Sequence, residues 1–211
     1  MRRTFLIASV ILGLLISVGS VAQAQSSGHK KTDKLIYKAQ QTNSAIKATN
    51  LQVKKTLEAY NYIIDGKTTD PRSEYKRLVK DIGKCEKARD DVRVKAGSMQ
   101  KVADTFFADW ETSLAGFNSE DMRAKSEARM NETKDNYLKI FEAGGKAGDE
   151  FDAFISNLDD QVRFLGHDLN PSAIAELTDE AAALNKQADE FFEAINKTIQ
   201  VAIKYTTSME P

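Results

Sequence analysis

Beyond about residue 32, apolar residues recur at alternating steps of three and four, the spacing of helices that bury one stripe against partners. The first such segment runs from about Asp33 to Ile64 and carries Leu35, Ala39, Thr42, Ile46, Thr49, Val53, Thr56, Tyr60 and Ile63 on its stripe. Several of these are small or polar, so this stripe is the weakest. Asp65-Gly66 ends it, glycine being the favoured left-handed cap. The second segment starts at Pro71 and reaches about Ala115, through Leu78, Ile82, Cys85, Val92, Met99 and Phe106. Arg89 is the one clear violation of its stripe, while Gly83 and Gly97 sit off it. The third opens with Asn118 as N-cap, flanked by Phe117 and Met122 at the spacing of a hydrophobic staple. Its stripe passes Tyr137, Ile140, Gly144, Phe151, Phe154 and Leu158 to Leu165, and Gly166 closes it. The fourth repeats the staple, with Leu169 and Ile174 around an Asn170 cap, and continues through Leu184, Phe191 and Ile199 to Ala202.

The chain has three prolines, and none interrupts these segments. Pro71 and Pro171 each follow a capping residue and so occupy the first helical position, where a missing N–H costs nothing. All three connections are short, which makes consecutive helices antiparallel neighbours. The fold class is all-α, an elongated up-down-up-down four-helix bundle with coiled-coil-like packing, over residues 32–208. A third turn centred near Asp168 sets Gly144 and Gly145 opposite Phe192 and Phe191, a small-to-large packing match. A helix break at the glycines is the alternative.

The first 24 residues follow a different pattern. Arg2 and Arg3 precede a nearly continuous apolar run from Phe5 to Val18, and Ala22-Gln23-Ala24 has the form of a cleavage signal. The run is shorter than the roughly 20 residues a spanning helix needs, so residues 1–24 read as a cleaved signal peptide. An uncleaved anchor is the rival reading. Residues 25–31 read as a flexible tail. The expected location is periplasmic or secreted, and no lipid-attachment cysteine follows the apolar run.

Charge adds a polarity between segments. Residues 25–60 hold seven lysines against Asp33 and Glu58, a balance of +5, whereas residues 142–190 hold twelve acids against Lys146, Arg163 and Lys186, a balance of −9. The plain reading is internal complementarity between the first and fourth helices, adjacent in this topology. The sharper reading is a contact with a membrane surface or acidic polymer through Lys30, Lys31, Lys34 and Lys38. Nothing in the balance calls for nucleic acid. Cys85 is the single cysteine, which excludes an internal disulfide and fits a small buried hydrophobe.

Recognised chemistry is sparse. The two histidines, His29 and His167, lie far apart, and there is no HExxH, no Glu-x-x-His pair, no zinc spacing and no phosphate-binding glycine loop. Phe164 stands where a ligand glutamate would precede His167. Carboxylates cluster at Asp149-Glu150-x-Asp152 and Asp159-Asp160, but neighbours on a helix point apart. No catalytic residue, metal or cofactor is expected.

The stretch Asp160-Gln161-Val162-Arg163-Phe164-Leu165-Gly166-His167-Asp168-Leu169-Asn170-Pro171-Ser172-Ala173-Ile174 resembles the most recognisable segment of an uncharacterised bacterial family. Its members are exported, coiled-coil-like helical proteins, classed as a domain of unknown function. Phe107-x-x-Trp110-Glu111, Arg123-x-x-Ser126 and Thr133-x-x-x-Tyr137 are similar in order and spacing, so the resemblance covers about Tyr75 to Thr206. Gly166 and Pro171 depart from the family pattern, as does the missing lipid-attachment cysteine. The resemblance implies a long helical envelope protein and supplies no activity. It draws attention to Asp160, Gln161, His167 and Asn170 as a candidate site at the bundle end. The expected function is a non-enzymatic envelope bundle acting through protein or polymer contacts, its partner and oligomeric state unknown. The alternative is a hydrolase or metal-dependent activity around Asp160, His167 and Asn170.

Overall fold

The computed structural model describes residues 19–209, with side-chain surroundings from residue 28 onward. The expected signal segment lies outside the described residues as far as residue 18. Five helices follow in order: α1 Gly19–Ile64, α2 Pro71–Leu114, α3 Glu120–His167, α4 Pro171–Glu176 and α5 Thr178–Met209. Each of the first three arms is a single helix, and α4 with α5 makes the fourth. α1 packs on α2 and α5, and α3 packs on α5 and α2, closing a four-sided, all-α bundle. At 1.5 Å per residue, the 48 residues of α3 span about 70 Å. No described helix is long and apolar enough to cross a membrane.

All nine expected stripe positions of α1, from Leu35 to Ile63, are buried, the three threonines included. The helix ends as its sequence dictates. Gly66 adopts φ +64°, donates to Ile63 O, and is followed by Lys67 donating to Tyr62 O, the paired bonds of a Schellman cap. At the start of α2, Asp70 accepts from Ser73 N at 3.1 Å with Pro71 beside it. The backbone of residues 25–31, expected as a tail, is helical and extends α1 ahead of its first packed position. Cys85 is fully buried, with Sγ 3.2 Å from Thr56 Oγ1.

Several expectations are corrected. The cap of α3 is Ser119, one residue after Asn118, with its side chain accepting from Met122 N at 3.4 Å. A staple needs the residue just before the cap, so moving the cap dissolves it, and Phe117 and Met122 are exposed. Gly166 does not close α3, which continues to His167 with Asp168 as its cap. A Cβ there would lie 2.5 Å from Tyr75 Oη, so the tyrosine hydroxyl of α2 rests over the bare Cα in the last turn of α3.

The fourth arm is two helices, because Leu177 (φ −91°, ψ 6°) turns its buried side chain inward while Thr178 Oγ1 donates to Ala175 O at 2.8 Å. This extra turn shifts the pairing of α3 with α5. Phe191 stacks on Phe151 with ring centroids 5.9 Å apart, and Gly144 faces Thr198, six positions beyond Phe192. The expected pairing of Gly144 and Gly145 with the two phenylalanines is therefore wrong, and so is the alternative break, since α3 runs through both glycines.

Two separate cores result. One fills the end holding the first and third turns, around Tyr60, Leu78, Phe154, Leu165 and Leu184. The other fills the end holding the second turn, around Leu35, Met99, Phe106, Phe107, Tyr137 and Tyr205.

Candidate functional site

The third turn disperses the four residues singled out there. Asn170 is structural: its Oδ1 accepts from Ser172 N and Ala173 N at 2.8 and 2.9 Å, and its Nδ2 donates to Asp168 Oδ1 at 2.6 Å. Leu169 and Ile174 pack on the core beside this cap, as the staple spacing requires. Gln161 faces inward, where its Oε1 accepts from the Tyr60 hydroxyl and its Nε2 donates to Glu180 O at 3.3 Å. It thereby ties α1, α3 and α5 together. Asp160 and His167 are exposed, and neither has a hydrogen-bond partner among the described residues. The tyrosine–glutamine bond is buried enough to push the Tyr60 phenol well above its ordinary value, with Glu180 adding to the shift.

Other carboxylates around α3 do not converge either. Asp159 is half-buried, and burial followed by the nearby Glu86 raises its carboxyl pKa, Arg163 opposing. Among the described residues no group of three or more His, Cys, Asp or Glu side chains is placed to hold a metal ion.

The lysines of α1 are also not absorbed by α5. Lys31 pairs with Asp109 of α2 at 2.6 Å, and Lys38 donates to Gln41 of its own helix at 3.2 Å. Lys54 lies 5.3 Å from the centroid of the Phe192 ring. No ion pair joins α1 to α5 among the described residues, so the expected internal complementarity has no contact behind it. Lys30, Lys34, Lys47 and Lys55 stand exposed on the solvent side of α1.

A third feature lies midway along the bundle, between the two cores. There α2 and α3, the most sparsely packed neighbours, stand apart over a cleft of about 400 Å³. One wall carries Arg89, Val92, Arg93, Ala96 and Met99. Gly144, Gly145, Ala147 and Gly148 line the other, and Ile46, Phe191 and Ile195 lie beneath. Arg89 Nη1 and Arg93 Nη2 reach the two oxygens of Asp152 at 2.7 and 3.3 Å. Arg89 also lies over Phe151, 5.8 Å from the ring centroid. The sequence held the signals for this cleft, an arginine on an apolar stripe and three glycines within five residues of one helix. They converge only once α2 and α3 are set side by side.

Among known proteins, the family model described as "Protein of unknown function (DUF2959)" matches residues 21–209. That span exceeds the stretch of about Tyr75 to Thr206 on which the resemblance rests. No curated protein and no solved structure matches the chain.

Proposed function

The chain belongs to that family of unknown function, an all-helical one, and on this premise we propose that it is a non-enzymatic bundle of the bacterial envelope that works by contact. Export by the N-terminal segment places it in the periplasm or outside the cell. The outer side of α1 is its contact surface, and the partner is anionic: a membrane leaflet or an acidic envelope polymer. The observation that carries this reading is the set of α1 lysines left without acidic partners. Had they served internal complementarity, ion pairs to α5 would hold them. The third-turn residues favour the same reading over a hydrolase, because Gln161 and Asn170 are spent on tying and capping the fold.

The test reverses Lys34, Lys47 and Lys55 to glutamate together. Binding to vesicles with and without anionic lipid, and to an insoluble anionic polymer, is read by co-sedimentation at low and high salt. The expected result is salt-sensitive binding that the variant loses, with stability changed by less than about 1 kcal/mol, since exposed charges contribute little. Unchanged binding together with a clear loss of stability would return those lysines to an internal role.

A further inference from the structure

We propose that the mid-bundle cleft binds a single-chain amphiphile, its apolar chain lying along the cleft and its anionic head resting on Arg89 and Arg93. The first reason is the glycines. Glycine is the poorest helix former after proline, yet α3 carries Gly144, Gly145 and Gly148 within five residues. None has positive φ. None permits a close helix crossing: a Cβ at Gly145 or Gly148 would meet nothing within 4 Å, and one at Gly144 only the Thr198 methyl at 3.9 Å. What their missing side chains do is leave one wall of the cleft open.

The second reason is the chemistry of the lining. Thr42, Thr49 and Thr198 reach the cleft, but each hydroxyl donates to the carbonyl four residues back in its own helix, at 3.0, 3.1 and 2.9 Å. Their hydrogens are already committed. The remaining interior is aliphatic and aromatic, with no array of polar groups for a sugar or nucleotide. Its form is also that of a chain. The lining extends from Arg89 to Met99 on α2 and from Ile140 to Asp152 on α3, about 15 to 18 Å along the bundle at 1.5 Å per residue.

The third reason is that polarity is confined to one end. Met99, Ile140 and Phe141 close the end towards the second turn, while Arg89, Arg93, Asp149 and Asp152 sit at the other. Two guanidinium forks there share the single carboxylate of Asp152. Arg89 Nε is shut from solvent without a hydrogen-bond partner, although Asp90 Oδ1 lies 3.4 Å away. Asp152 takes one N–H from each fork, and the N–H groups left over, Arg89 Nε among them, are the kind that hold a carboxylate or phosphate head. This site is separate from the lysines of α1, so failure of either proposal leaves the other standing.

Equilibrium dialysis of the purified protein against labelled dodecanoate, with dodecanol as the uncharged counterpart, tests it. The expected result is saturable uptake of one dodecanoate per chain. Gly148→Leu should weaken both probes at least tenfold with the melting temperature kept, because that position has room for a side chain. Ala96→Leu, on the facing wall, should do the same and covers the case in which the first variant fails to fold. Arg89→Gln with Arg93→Gln should weaken dodecanoate at least tenfold and dodecanol less than twofold. No saturable uptake, or uptake indifferent to both wall variants, would overturn the site. Equal losses for the two probes from the arginine pair would overturn the anionic head.

Discussion

The two ends of the bundle hold their buried polar groups differently. At the end with the first and third turns, polar side chains pair across helices. Tyr60 bonds Gln161, and Asn61 and Asn185 exchange amide bonds at 2.7 and 3.0 Å. Thr56 contacts Cys85 within the core, and Asn157 bonds Gln187 at 2.7 Å on the surface beside them. At the end with the second turn, rings do the work: Tyr137 lies within 6.1 Å of Phe107, Phe141 and Tyr205. There the hydroxyls of Tyr137 and Tyr205 are buried without partners. Hydrogen bonds between helices fix which residue stands opposite which, whereas ring packing accepts several neighbouring arrangements. The first end therefore carries most of the bonds that set the register, whereas at the second a single part-buried bond between helices, Trp110 Nε1 to Ser126 Oγ at 3.0 Å, stands beside the packed rings. The glycine-lined cleft separates them.

The largest expected effect compares the cores directly. Phe154 is fully buried among α3 and its neighbours, while Phe106 sits at 7% exposure at the edge of the aromatic end. Phe154→Ala should cost the upper part of the roughly 3 to 5 kcal/mol range for such truncations, and Phe106→Ala about 3 or less, because an edge site can collapse or admit water. Urea unfolding of the two variants measures this. A greater loss from Phe106 would reverse the ranking of the ends.

The elements of this comparison were unequally visible in the sequence. The stripe of α1 was fully legible, threonines included, because a period repeated nine times outweighs any single polar member. The caps at Asp70, Gly66 and Asn170 were legible for the same physical reason that they work, one residue type suited to one backbone geometry. Gly166 was read as a cap because its actual role depends on Tyr75, 91 positions away in the sequence. The turn at Leu177 carries no glycine or proline to announce it, and missing it displaced every predicted contact between α3 and α5. At the third turn the same limit applied: Asn170 as a cap is a local matter, while Gln161 acquires its part only when Tyr60 arrives from α1. Asp160 and His167 looked alike in the sequence and are simply exposed.

An intermediate effect concerns alkaline pH at the first end. Burial pushes the Cys85 thiol from 9.0 up to about 11, with Asp81 and Glu86 adding and Thr56 opposing. The folded value lies above the unfolded one, so the contribution is complete below pH 9 and is lost between about pH 9 and 11, as the unfolded thiol ionises first. Two units correspond to about 2.7 kcal/mol as an order of magnitude. The fall in stability from pH 8 to 11 should thus be smaller by roughly that amount in Cys85→Ala than in the parent protein. Tyrosine ionisation is common to both and cancels. The same burial predicts slow reaction of the native thiol with an alkylating reagent at pH 8, and rapid reaction after denaturation. An equal pH dependence in both proteins would mean that the thiol titrates normally and that this end is looser than its hydrogen bonds imply.

The smallest effect is the most discriminating, because it differs in sign between the ends. Removing the Tyr60 hydroxyl strands Gln161, whose carbonyl loses its donor in a half-buried position. Tyr60→Phe should cost about 1 to 2 kcal/mol, the usual value of a bond broken from one side. Tyr205 presents the opposite case. Its hydroxyl gives up water on folding and gains no partner, and burial followed by the neighbouring Tyr137 holds its phenol well above the ordinary value. Deleting a group that pays desolvation without compensation should be neutral or stabilising by up to about 1 kcal/mol, and the phenylalanine ring retains the stack on Tyr137. Parallel urea titrations of Tyr60→Phe and Tyr205→Phe give the two signs. Should both variants lose stability, the Tyr205 hydroxyl has a partner after all, and the aromatic end is pinned by hydrogen bonds like the other. Should both gain, the Tyr60–Gln161 pair adds nothing and cannot be what sets the register of α3 against α1.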